Sequence, residues 1–184
     1  MGARDTHPGH LHRDLRSQGF QVGKDTVHEL LAYIEDAHLV YTVEMFTPSQ
    51  ARRNSNPRKA YPVDPALSRT VAFAKPEDLG HRLENLVYLE LRRRGRTEIG
   101  YIKTEGGFEV DFCARGPDEL ELVQVCADLS DPATRARELR ATQAAMEETG
   151  ARTATLVTLR EDEDLPAGTG EIRIRPAWRW LLEG

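Results

Sequence analysis

The stretch GGFEVDFCARGPDELELVQVCAD, Gly106 to Asp128, decides how the chain folds. Residues two apart on a strand share a face, so Phe108, Val110 and Phe112 fall on one side of the first half, and Glu109, Asp111 and Cys113 on the other. RGPDE supplies turn formers, and LELVQVC resumes the alternation with Leu122, Gln124 and Cys126 on one face. A hairpin turning near Gly116 to Asp118 sets Asp111 opposite Val123 or Gln124. It offsets Cys113 from Cys126 by about five positions, on the order of 16 Å at strand rise and too far for a disulfide.

Upstream lies a long helix with Pro76 near its first turn and Gly95 just past its end, the usual asymmetry of helix termini. Gly80, Glu84, Val87 and Leu91 form one stripe of it, so Glu84 sits on a largely apolar face, where a carboxylate needs a partner. Arg92, Arg93 and Arg94 occupy its last turn, where cations favour the helix dipole and could also contact nucleic acid. EIGYIKT follows as a strand carrying Lys103. Downstream come a helix from SDPATRARELRATQAAMEETG, a strand TATLVTL, an acidic loop REDEDLPAGTG, a last strand EIRIR and the apolar AWRWLL. The core order is helix, three strands, helix, strand.

Toward the N-terminus, residues 1–13 combine Gly, Pro and His7, His10 and His12 without periodicity, and read as a flexible lead, with adventitious metal binding as the alternative for the histidines. TVHELLAYIEDA has capping-box spacing at Thr26 and Glu29 and an apolar stripe at Val27, Leu30, Leu31, Ile34 and Ala37. LVYTVEMF and AYPVD read as strands around the polar TPSQARRNSNPRK. A short helix near Leu15, a turn, a second helix and a hairpin with a long basic tip make a winged-helix pattern. On that tip Arg52, Arg53, Arg58 and Lys59 either grip phosphate or solubilise the loop. Arg135 and Arg137 form a further basic group on the helix after the hairpin. The resulting division is 1–13, lead; 14–70, winged helix; 71–184, α/β domain.

The 184 residues are 39% hydrophobic and 30% charged, as expected of globular domains, with a net charge of -5 that argues against indiscriminate coating of nucleic acid. No apolar run reaches membrane-spanning length, no signal pattern opens the chain, and two cysteines make no disulfide framework, so a cytoplasmic location is expected. No GxxxxGK[ST] is present, so the chain lacks a phosphate-cradling P-loop.

The order of helix acid, hairpin acid and acid-x-Lys strand resembles the PD-(D/E)XK nuclease superfamily. More specifically, LENLVYLELRRRG, GGFEVDF, LVQVCADLSDPATRARELRA and PAWRWLL look like the C-terminal domain of unknown function attached to prokaryotic AAA+-type ATPases. KDTVHELLAYIEDAHLVYTVEMF and NPRKAYPVDPAL look like that family's segment between the ATPase and the nuclease-like domain, so the resemblance runs from about Leu15 onward. It implies an N-terminal winged helix followed by an αβββαβ nuclease-like core, with an ATPase module in cis or in trans. Glu84 then matches the helix acid, Asp111 the hairpin acid, Gln124 the second acid and Cys126 the lysine. Mg²⁺ or Mn²⁺ would sit at Glu84 and Asp111. An amide supplies oxygen without charge, and a thiol supplies no fixed positive charge, so the last two positions depart from the catalytic pattern. Lys103 is a candidate substitute lysine. Three functions follow: a nucleic-acid- or partner-binding module with an eroded site, a metal-dependent endonuclease, or a protein scaffold. For Asp111 and Glu84 the alternative to metal is a structural pair held by Arg, such as Arg135 or Arg137, or by backbone donors, and for Cys126 it is a small buried hydrophobe.

Overall fold

A computed structural model describes residues 8–66, 79–116, 120–168 and 170–183. The chain divides into two compact units, Met1–Lys75 and Pro76–Gly184. The boundary read from sequence, the Pro76 helix start and His7 lie outside the described residues.

In the first unit, α1 (Pro8–Ser17) and α2 (Lys24–Asp36) precede β1 (Val40–Val43), α3 (Gln50–Ser55) and β2 (Lys59–Pro62). β1 and β2 pair antiparallel, from Val40 opposite Pro62 to Val43 opposite Lys59. Two expectations change here. The stretch read as a lead is helical from Pro8 onward. His12 Nε2 lies 3.1 Å from the Val22 carbonyl oxygen. The basic tip carries α3, whose Ser49 cap accepts a hydrogen bond from the Arg52 N–H at 3.3 Å. A six-residue helix that is polar all round leaves no apolar period to read. Val27, Val43, Met45 and Tyr61 are buried, while Leu30 and Ile34 of the expected α2 stripe are exposed.

The second unit runs α4 (Leu79–Arg93), β3 (Thr97–Lys103), β4 (Glu109–Arg115), β5 (Leu120–Val125), α5 (Pro132–Thr149), β6 (Thr153–Thr158), β7 (Glu163–Ala167), β8 (Gly170–Pro176) and α6 (Ala177–Leu182). Its six-stranded sheet has the order β3-β4-β5-β6-β8-β7. β3, β4 and β5 are antiparallel neighbours, β6 runs parallel to both β5 and β8, and β7 returns antiparallel to β8. The architecture is therefore mixed α/β, with a separate small antiparallel pair in the first unit. Among the described residues no helix is long and apolar enough to cross a membrane.

β4 is buried on both faces from Val110 to Ala114, so its alternation separates polar from apolar chemistry rather than solvent from core. α5 begins at a complete cap: Pro132 follows Asp131, whose carboxylate accepts from the Thr134 N–H at 2.8 Å. It ends at Gly150, which holds φ 73°. The acidic loop expected after β6 contains β7. An edge strand pairs on one side only and tolerates both Pro166 and an acidic outer face, and so escapes a search for apolar alternation.

Candidate functional site

Three buried polar side chains meet where the β4–β5 hairpin faces α5. Phe112 pairs with Val123, and one step along the ladder the Asp111 N–H donates to Gln124 Oε1 at 3.0 Å. The Gln124 Nε2 then donates to Glu138 Oε2 at 2.6 Å, and the Val125 N–H donates to Asp111 Oδ2 at 3.0 Å. Asp111, Gln124 and Glu138 are all buried. Glu138 Oε1 accepts from Arg137 Nε at 3.0 Å, bringing a partly solvated cation to the buried carboxylate.

These partners fix which way the Gln124 amide points. Its oxygen must face the backbone N–H and its nitrogen the carboxylate, because only an amide offers an acceptor and a donor from one short head group. A glutamate at 124 would instead set two carboxylates against each other in a buried place. The Gln124 departure from the acid-x-Lys pattern is therefore matched to a residue that sequence reading missed. Glu138 heads the buried α5 stripe Ala141, Thr142 and Ala145, and that periodicity is the signal that could have found it.

The remaining predicted positions distribute as follows. Glu84 is buried on α4, and His81 Nδ1 lies 3.9 Å from its carboxylate. The Cys126 thiol donates to the Asp128 carbonyl at 3.3 Å, and burial pushes its pKa up, so it is neither a cation nor a ready thiolate. Burial pushes the Cys113 thiol up to about 12. Both cysteines are free thiols. Lys103 is exposed near the end of edge strand β3, opposite Glu109. Among the described residues no group of three or more His, Cys, Asp or Glu could hold a metal ion. With an Asp111 oxygen engaged by backbone and Gln124 tied to Glu138, the donor set does not fit Mg²⁺ or Mn²⁺, which prefer several free anionic oxygens.

The basic groups are placed as follows. Lys59 is 6% exposed within β2 and does not extend from the loop tip. Arg58 pairs with Glu44 at 2.6 Å, and Arg53 Nε lies 3.8 Å from the same carboxylate while its Nη2 donates to the Thr47 carbonyl at 2.8 Å. Arg52 is exposed on α3. Arg135 pairs with Glu163 and Arg137 with Glu138, so of the two structural alternatives for Asp111, Arg or backbone donors, it is a backbone donor, the Val125 N–H, that reaches it.

No family model and no solved structure matches the chain. It is 30% identical over 177 residues to an uncharacterized protein of Methanocaldococcus jannaschii, covering 91% of this chain and 38% of that one. It is 29% identical over 126 residues to an uncharacterized protein of Haemophilus influenzae, covering 68% of this chain and 31% of the relative. The chain thus spans well under half the length of these relatives.

Proposed function

We propose that this chain is a non-catalytic, partner-binding module of a longer AAA+-type ATPase system, in which a reduced winged helix precedes a PD-(D/E)XK nuclease-like core. The αβββαβ order, with an antiparallel β3–β4–β5 meander and a parallel β5–β6 pair, supports the nuclease-like reading of the second unit. That the matching segment is only part of the relatives supports its role as one module among others. Fold analogy locates the site but does not supply the activity. The observation that carries the conclusion is Gln124, whose amide joins the Asp111 backbone to the Glu138 carboxylate where a nuclease would place a metal-binding acid.

Protein rather than nucleic acid is the preferred partner class because the basic loop does not present its four cations together: Arg53 and Arg58 turn to Glu44, and Lys59 is buried within β2. Plasmid and single-stranded substrates incubated with Mg²⁺ or Mn²⁺ should show no cleavage above background, and DNA titration at low salt should show at most weak binding. Metal-dependent cleavage that disappears in Asp111→Ala would restore the endonuclease reading.

A further inference from the structure

The first unit leaves part of its main helix uncovered. On α2, Leu30 is 48% exposed, Tyr33 65% and Ile34 38%, although the spacing of Leu30 and Ile34 had suggested core positions. At about 100° per residue these three side chains span a sector of roughly 100°. Val27 is buried on one flank of that sector. On the other flank Asp25, Glu29 and Asp36 fall within about 40° of one another, forming an acidic row along the helix. All three are exposed, and none makes an ion pair or side-chain hydrogen bond among the described residues.

We propose that this face of α2 docks a basic amphipathic helix of a protein partner, with Leu30, Tyr33 and Ile34 receiving its apolar stripe and the Asp25–Glu29–Asp36 row receiving its Lys or Arg edge. This deepens the partner-binding reading by giving the partner a chemistry. Helix-against-helix recognition uses an apolar stripe for affinity and charged flanks for orientation, and both parts are present on one helix here. The charge row separates this occupant from others. Nucleic acid and anionic membrane carry the same sign as the row and would be repelled. A second copy packed antiparallel by two-fold symmetry would bring the two acidic rows to the same side of the interface, placing like charges together. A helix edged with Lys or Arg meets neither obstacle. The first unit also gains from being covered, since Val27, Val43, Met45 and Tyr61 are a small buried apolar core among its described residues, 8–66.

The test uses the full chain and two fluorescent synthetic helices of matched length, one built from Leu and Lys and one from Leu and Glu, with binding read by anisotropy. The Leu/Lys helix should bind and the Leu/Glu helix should not. Leu30→Ser with Tyr33→Ser should weaken binding by about tenfold or more. Asp25→Asn, Glu29→Gln and Asp36→Asn together should weaken it and flatten its salt dependence. Neutralising an equal number of exposed acids in the second unit should leave it unchanged. Circular dichroism checks that the variants remain folded, as expected for exposed positions. Equal binding of both helices, no binding of either, or affinity indifferent to Leu30 and Tyr33 overturns the proposal. So does a concentration-dependent dimer abolished by the same double substitution, which would make a second copy the occupant. Nuclease activity would remove the non-catalytic reading without altering these binding results, so the two fail separately.

Discussion

At position 124 an amide accepts from one chemical group and donates to another, and neither glutamate nor a hydrophobe can do both. Gln124→Glu should therefore destabilise the protein by about 1–3 kcal/mol at neutral pH, read as a lower urea midpoint, because the new carboxylate faces Glu138 without a donor between them. Adding Glu138→Gln reverses donor and acceptor along the same line and should recover much of the loss. Absence of such coupling would mean that the contact contributes little. A second residue-scale outcome concerns Glu90, which is buried and hydrogen-bonded at 2.6 Å to both Arg93 Nε and Arg93 Nη2. The Arg93 hydrogen bond lowers the Glu90 pKa, burial opposes this, and Arg94 adds to the lowering. A depressed carboxyl contributes stability that is present above the ordinary glutamate value of ~4.3 and is lost as pH falls through the folded value. Glu90→Gln should thus unfold at lower urea than the parent at pH 7, with the gap closing through the acid range. A gap independent of pH would contradict the assignment.

At the scale of elements, β8 is the strand whose placement leaves least room for change. A Cβ built on Gly170 would stand 1.9 Å from the Arg152 carbonyl oxygen, a backbone atom that cannot swing aside. Gly170→Ala should consequently cost about 1–3 kcal/mol, seen as a lower thermal midpoint, and wild-type stability in that variant would refute the close approach. The end of α4 is tied to α6 in another way. Arg94 stacks over the Trp180 ring at 4.0 Å and donates to the Trp180 carbonyl, so one of the three arginines placed by the helix dipole also anchors the last helix. The β3–β4–β5 meander, α5 and β6 were legible because their alternation or caps are carried by local residues. β7 was not, because an edge strand is defined by its neighbour β8. α3 was missed because its only local signals are polar caps at Ser49 and Asn56. The Gln124 position was legible from the hairpin, but its partner was not, since Glu138 lies fourteen residues away on a helix and only the fold brings the two together.

For the whole molecule, the sequence marked out an acidic protein with basic clusters, and the structure shows most of those cations answered by nearby carboxylates. Arg58 meets Glu44, Arg135 meets Glu163, Arg137 meets Glu138, and Arg93 and Arg94 meet Glu90. Clustering along the chain is therefore a poor guide to an anion-binding surface when acids of the same helix, or of other elements, lie against the cations. The same holds where the sequence resemblance set a metal site: Asp111 is held by the Val125 N–H and Glu138 by the Gln124 amide. We propose that this polar centre stabilises the fold rather than binding a metal. An ion that binds only the folded state stabilises it by RT ln(1 + L/Kd), with L its free concentration, and so raises the melting temperature, which makes thermal unfolding in millimolar Mn²⁺ a direct test. The wild type and Asp111→Asn should show the same shift, or none. A rise in the wild type that is lost in Asp111→Asn would show a metal bound at the carboxylate and contradict the proposal.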